Sequence, residues 1–399
     1  MTGGQPWEEC IAMKKALRAL SVTGLIAVLS VAVHAQEPSA RVIAAALQPF
    51  VDRHELAGAV TLVADRDAVL SVDAVGFADI AAGRPMRADA VFWIASQSKP
   101  ITATALMMLV DEGKVKLDDP VARYLPEFRE CWLAAERDRD HVLLKRPGHP
   151  ITVREILSHT SGLPFKSALE VPTLDRLPLS VAAGSYAMTS LQFEPGTRYQ
   201  YSNAGINTAG RIIEVVSGMP YEAFLQARLF DPLGMKDTTF WPSGGQLARL
   251  AKSYRPAKDK AGLVETTIDQ LTYPLDDHGR RPMPAGGLFS TAADLALFCQ
   301  LILSGGEFRG RRYLSESAVK EMTTRQTAEG IKESYGLGWA TGGGTFGHGG
   351  AFATNMTIDP GLNLITIFLA QHAGFSGEGG KAHVEFRKAA EERFGRARP

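Results

Sequence analysis

Two β-hairpin signatures sit at opposite ends of the 399-residue chain, and they constrain its fold more than any other feature. Near the start, the apolar runs 59–64 and 68–74 are joined by Asp65-Arg66-Asp67. Near the end, 354–359 and 364–370 flank Pro360-Gly361. Short apolar runs bounded by turn residues read as paired strands. A helix with apolar residues at Val42, Ala46, Leu47, Phe50 and Val51 precedes the first hairpin over 39–54, and another follows the second near 382–393. The two ends therefore predict one antiparallel sheet flanked by helices, an α/β chain of the α+β type. Between them the pattern is helical. Residues 101–112 are apolar and periodic, Thr152-Val153-Arg154-Glu155 is a capping box, 203–217 stops at Gly218, and Thr291 opens a helix running to Ser304. The charge-dense segment 129–146 reads as an exposed excursion. The expected organisation is a sheet region at about 36–95 and 284–399, with a mostly helical region at about 96–283 inserted into it.

Residues 1–35 read as an upstream segment and an export signal. Met13, Lys14, Lys15 and Arg18 form a basic start, 19–33 is mostly apolar, and Val33-His34-Ala35 offers small residues for cleavage after Ala35. The expected mature domain is 36–399, periplasmic or secreted, with no stable membrane span after cleavage because the apolar run is short for one. Cys131 and Cys299 remain in it; export permits a bridge, but a chain of this size needs none and spacing does not pair them. Lys plus Arg and Asp plus Glu number 43 each, so no basic excess points to nucleic acid.

Several chemistries lack their signatures. Gly374-Phe375-Ser376-Gly377-Glu378 fails as a Gly-x-Ser-x-Gly elbow at its last position, and the histidines form no metal-binding cluster, so neither a metal nor a cofactor is expected. Gly342 to Gly347 matches Gly-x-Gly-x-x-Gly but precedes a strand where a dinucleotide fold needs a helix. The informative stretch is Phe92-Trp93-Ile94-Ala95-Ser96-Gln97-Ser98-Lys99-Pro100. A serine at a helix start with a lysine three residues on projects both from one face, and a neutral Lys99 can accept the Ser96 proton. Alone this is weak, since Ser317-Ala318-Val319-Lys320 repeats it on a polar helical stretch that reads as a solvated face. Two further elements strengthen Ser96. Tyr201-Ser202-Asn203 follows a turn and can supply a proton-exchanging phenol and an orienting amide, although a buried tyrosine and a helix cap is the plainer reading of that pair alone. His348-Gly349-Gly350-Ala351 lies on a strand whose glycines allow close backbone approach, leaving the Ala351 amide to join that of Ser96 around an oxyanion.

In this order the three elements resemble the serine β-lactamase and penicillin-binding protein superfamily, specifically its class C-like branch with D-alanyl-D-alanine carboxypeptidases and family VIII esterases. The segments 157–163, 231–235, 284–288 and 335–339 add to the likeness, which covers about 41–371. The resemblance implies a β-lactamase/transpeptidase-like fold with the site between sheet and helices, Ser96 as acylated nucleophile, Lys99 as its activator and Tyr201 as proton carrier. It assigns Asn203 to substrate positioning and places His348 where most β-lactamases carry lysine. Histidine is charged only when protonated, so binding of a substrate carboxylate is expected to weaken as pH rises through the His348 titration. The expected function is an exported, metal-independent serine hydrolase of small esters, amides or lactams. A carboxypeptidase acting on cell-wall peptides and a non-catalytic binding or sensor module are the alternatives. His159 reads as a structural hydrogen-bonding residue, and Asn355 as a second strand residue that could face the site.

Overall fold

The computed structural model describes residues 38–259 and 262–395, and the export signal read at 1–35 lies outside them. In chain order, α1 (Pro38–Asp52) leads into β1 (Gly58–Ala64), β2 (Val69–Asp79) and the short β3 (Arg84–Pro85). The helical region contributes α2 (Ser98–Asp111) and α3 (Asn203–Ser217), and α4 (Ala292–Leu303) follows at the return to the sheet region. The chain then returns through β4 (Ala340–Gly342), β5 (Thr345–Gly349), β6 (Asn355–Asp359), β7 (Leu364–Leu369) and α5 (Ala382–Phe394). The strands form one antiparallel sheet in the order β4-β5-β6-β7-β1-β2-β3. Its two halves meet where Val60 lies opposite Leu369 and Ala64 opposite Ile365, so the ends of the chain build one sheet as the hairpins predict.

Two-residue periodicity divides that sheet between two cores. Val60 and Leu62 of β1 and Ile365 and Ile367 of β7 pack with Leu295 and Phe298 of α4. Ala59 and Val63, with Leu364 and Phe368, turn the other way onto Ile43 and Leu47 of α1 and Phe386 of α5. Each fully buried Leu, Ile or Phe contributes roughly 1.5–3 kcal/mol, and the face toward α4 belongs to much the larger of the two cores, which continues into the helical region. β2 runs past the expected 68–74 because its half-buried alternation continues into Val75.

The capping signals act where the sequence places them. The Thr152 side chain accepts from the Glu155 amide, and Gly218 closes α3 at φ +71°. Segment 129–146 is largely an exposed hairpin, Leu133–Arg137 against Val142–Lys145. Cys131 and Cys299 are buried, unbridged thiols; Cys299 donates to Met356 Sδ and Cys131 to the Phe128 carbonyl. Among the described residues no helix is long and apolar enough to cross a membrane.

Candidate active site

Ser96 stands on the sharp turn between the strand Phe92–Trp93 and α2. Ala95 takes φ +48°, a left-handed conformation uncommon for a residue with a Cβ, and this reverses the chain just before Ser96. The turn is held by its surroundings: Ser98 Oγ donates to the Ala95 carbonyl at 2.7 Å, and Thr354 Oγ1 to that of Ile94 at 3.2 Å. Gly350 sits against the turn so closely that a Cβ there would lie 2.5 Å from the Ile94 oxygen and 2.1 Å from Thr354 Oγ1. Only glycine permits this approach. The amides of Ser96 and Ala351 have no backbone partner among the described residues, and both residues line one cavity of about 320 Å³. Trp93, Phe165, Tyr201, Asn203, Gln270 and Met283 form much of its wall, and among the described residues no charged side chain lines it.

Lys99 lies directly behind that wall, fully buried. Its Nζ is 3.1 Å from Ser96 Oγ, 2.9 Å from Asn203 Oδ1 and 2.7 Å from the Ala285 carbonyl oxygen, with the Tyr201 ring centroid at 4.5 Å. No carboxylate is among these partners. Burial therefore pushes the ammonium well below its usual pKa, since nothing offsets the loss of hydration. Asn203 Oδ1 and the Ala285 oxygen accept hydrogen bonds only. A neutral Lys99 gives them its two N–H bonds and turns its lone pair to the Ser96 hydroxyl. The Tyr201 phenol is raised above its usual pKa by burial, partly offset by a hydrogen bond with Ser96, and so remains a proton donor.

His348 differs from the expectation of a group titrating near neutrality on the cavity wall. It is buried behind Gly349, and the side chain is satisfied internally. Nδ1 lies 2.6 Å from the Gly349 carbonyl, which can only accept, so the proton sits on Nδ1. Nε2 then accepts from the Tyr335 hydroxyl at 2.9 Å. Burial, with Lys99 nearby, lowers its pKa to about 3. His348 is thus a neutral structural imidazole here. His159 is also buried and neutral. It accepts from the Ser202 amide at 3.2 Å and packs 4.5 Å from the Tyr201 ring, the structural role read from the sequence. Asn355 accepts from Thr357 and lines a different depression, beside Arg387. Ser317 and Lys320 are exposed on their helix.

A family model described as Beta-lactamase matches residues 43–390. The chain belongs to the beta-lactamase family. An uncharacterized protein of Mycobacterium tuberculosis is 33% identical over 370 residues, covering 82% of this chain and 89% of that protein. Esterase EstB of Burkholderia gladioli is 28% identical over 379 residues, covering 84% and 90%. Among solved structures, EstCE1, a hydrolase with promiscuous acyltransferase activity, has TM-score 0.72 at 25% identity, covering 88% of this chain and 98% of that one. Simvastatin synthase from Aspergillus terreus shares the fold, with TM-score 0.73 at 20% identity and coverage of 89% and 98%.

Within this beta-lactamase fold, sequence reasoning missed the Ala285 carbonyl, the Tyr335 partner of His348 and the apolar wall of Trp93, Phe165 and Met283. In the sequence the segment 284–288 stands out only as part of the family likeness. Its signal was the pair Gly286-Gly287: a Cβ on Gly287 would come within 3.0 Å of the Met283 amide, which marks a backbone drawn tightly into place.

Proposed function

We propose that this beta-lactamase-family protein is an exported hydrolase that cleaves small, uncharged esters through an acyl-enzyme on Ser96. The observation that carries the reading is the environment of Lys99: a buried amine with two acceptor-only partners and Ser96 Oγ at 3.1 Å. In acylation the Ser96 oxygen bonds to the ester carbonyl carbon as its proton passes to Lys99 Nζ. The amides of Ser96 and Ala351 hold the oxyanion. Collapse breaks the bond to the leaving oxygen, which takes a proton by way of Tyr201, and the proton on Lys99 restores the phenol. Water then attacks the acyl carbon by the same path in reverse, releasing the acid and the free serine.

The choice of uncharged esters rests on the cavity. A β-lactam or peptide C-terminus brings a carboxylate, yet among the described residues the lining carries no charge, and His348 is neutral. Lactams and carboxypeptidase action on cell-wall peptides, both of which require a carboxylate, thus fall behind uncharged esters. A non-catalytic module has no use for a desolvated lysine on a serine hydroxyl. Export rests on the basic and apolar pattern of 13–35. The test is fluorophosphonate labelling: wild type and Ser317→Ala should label equally and Ser96→Ala not at all. Equal labelling of all three would reject the assignment.

A further inference from the structure

Lys99 is one end of a buried hydrogen-bond chain that leaves the site through the helical region. Lys99 Nζ donates to the Ala285 oxygen at 2.7 Å, the Ala285 amide donates to Asn207 Oδ1 at 3.0 Å, and Asn207 Nδ2 donates to the Tyr186 oxygen at 3.0 Å. The Tyr186 hydroxyl then donates to Glu170 Oε1 at 2.7 Å, while the Ser167 amide donates to Oε2 at 2.7 Å. All five residues on the path are buried, Glu170 at 2% exposure. Each link fixes the next. The Ala285 amide can only donate, so the Asn207 oxygen must face it; the Asn207 NH₂ then faces Tyr186, and the single Tyr186 proton is left for the carboxyl group.

We infer that Glu170 is a positioning residue for Lys99, acting through Tyr186, Asn207 and Ala285. The inference rests on the proposed role of Lys99 and extends it. The direction of the amine lone pair depends on where its two N–H acceptors sit. Asn203 supplies one from the start of α3. The other is a backbone carbonyl on an irregular segment, whose place depends on what grips it. The preceding Pro284 carbonyl is held by Thr102 Oγ1 at 2.8 Å and the following Gly286 carbonyl by Trp93 Nε1 at 2.7 Å. The Asn207 contact grips Ala285 itself, and Tyr186 and Glu170 keep Asn207 in the required orientation. If the chain is cut, the amine gains freedom to turn its lone pair off Ser96. Proton transfer then slows, while the cavity that binds the ester keeps its walls.

The test is a set of variants assayed with one aryl ester for KM and the pre-steady-state acylation rate, with thermal melting alongside. Tyr186→Phe keeps the packed ring and cuts the chain at its middle. It should slow acylation about tenfold with KM within about twofold, the scale of one displaced hydrogen bond. Asn207→Ala should do the same, and the double variant should lose no more than either alone, because both cut one path. Tyr254→Phe removes a buried hydroxyl off the chain, the acceptor of the Ile80 amide at 2.8 Å, and should leave acylation unchanged even where melting falls. Unchanged acylation in Tyr186→Phe, additive losses in the double variant, or an equal loss in Tyr254→Phe would each overturn the inference. If Asn207→Ala does not fold, the comparison of Tyr186→Phe with Tyr254→Phe decides. Ser96→Ala separates the two levels. Turnover surviving in it rejects the acyl-enzyme reading itself, whereas an inert Ser96→Ala beside a normal Tyr186→Phe rejects only the positioning role.

Discussion

Discrimination between neutral and carboxylate-bearing esters should not depend on pH across the neutral range, because His348 does not titrate there. Its pKa is lowered from 6.5 to about 3, chiefly by burial. With its pKa at about 3, only about one molecule in a few thousand carries the imidazolium at pH 6.5. A remote substrate carboxylate is itself ionised above about pH 5, so over about pH 5.5–8.5 neither partner changes charge. The assay compares kcat/KM for a neutral aryl ester with that for the same ester bearing a distal carboxylate. The neutral ester should be preferred, and the ratio should stay within about twofold over that range, since any titration of the shared machinery cancels in it. A ratio that shifts toward the carboxylate as pH falls through about 6.5, approaching tenfold per unit, would show His348 acting as a titrating cation and refute the reasoning.

Other consequences follow from the same geometry. Lys99→Arg and Lys99→Ala should both lose several orders of magnitude in kcat/KM, because arginine cannot give up its proton and alanine cannot accept one; near-normal turnover in the arginine variant would exclude Lys99 as base. Tyr201→Phe keeps the ring beside Lys99 and His159 but should slow both acylation and deacylation in stopped-flow measurements. The protein should also be acid-sensitive. His348 and His372 are held neutral by burial, at about 3 and about 4, so unfolding lets each take up a proton below 6.5. Their contribution is complete above 6.5, is lost progressively as pH falls below it, and is fully gone once pH has fallen through the folded values. At pH 5 the loss is about 2 kcal/mol for each, seen as a lower urea midpoint than at pH 7.5.

The sheet was legible because its evidence is local. Asp65-Arg66-Asp67 and Pro360-Gly361 mark turns, and the runs beside them show strand periodicity; the antiparallel seam between β1 and β7 then follows from having two hairpins to join. Ser96 with Lys99, and Tyr201 with Asn203, each lie within a few residues, but either pair alone reads weakly, and it is their order along the chain and the family likeness that single them out. The third Lys99 partner was not legible, because the Ala285 carbonyl is a backbone group carried by a residue type with no chemistry of its own, 186 positions along the chain. The range over which His348 titrates is not readable from the sequence, because it depends on burial and on Tyr335, which meets it only after strand β5 folds back. Glu170, Tyr186 and Asn207 lie on separate local elements, and no spacing rule relates them to Lys99.

The most direct measurement is the mass of the intact protein, quenched during turnover of a slowly deacylating ester and followed by peptide mapping. Wild type is predicted to gain the mass of the acyl group, on the peptide containing Ser96 and on no other. Ser96→Ala should gain nothing, whereas Ser317→Ala should acylate like wild type. Turnover with no adduct under any quench, or an acyl group mapped to another residue, would contradict the account.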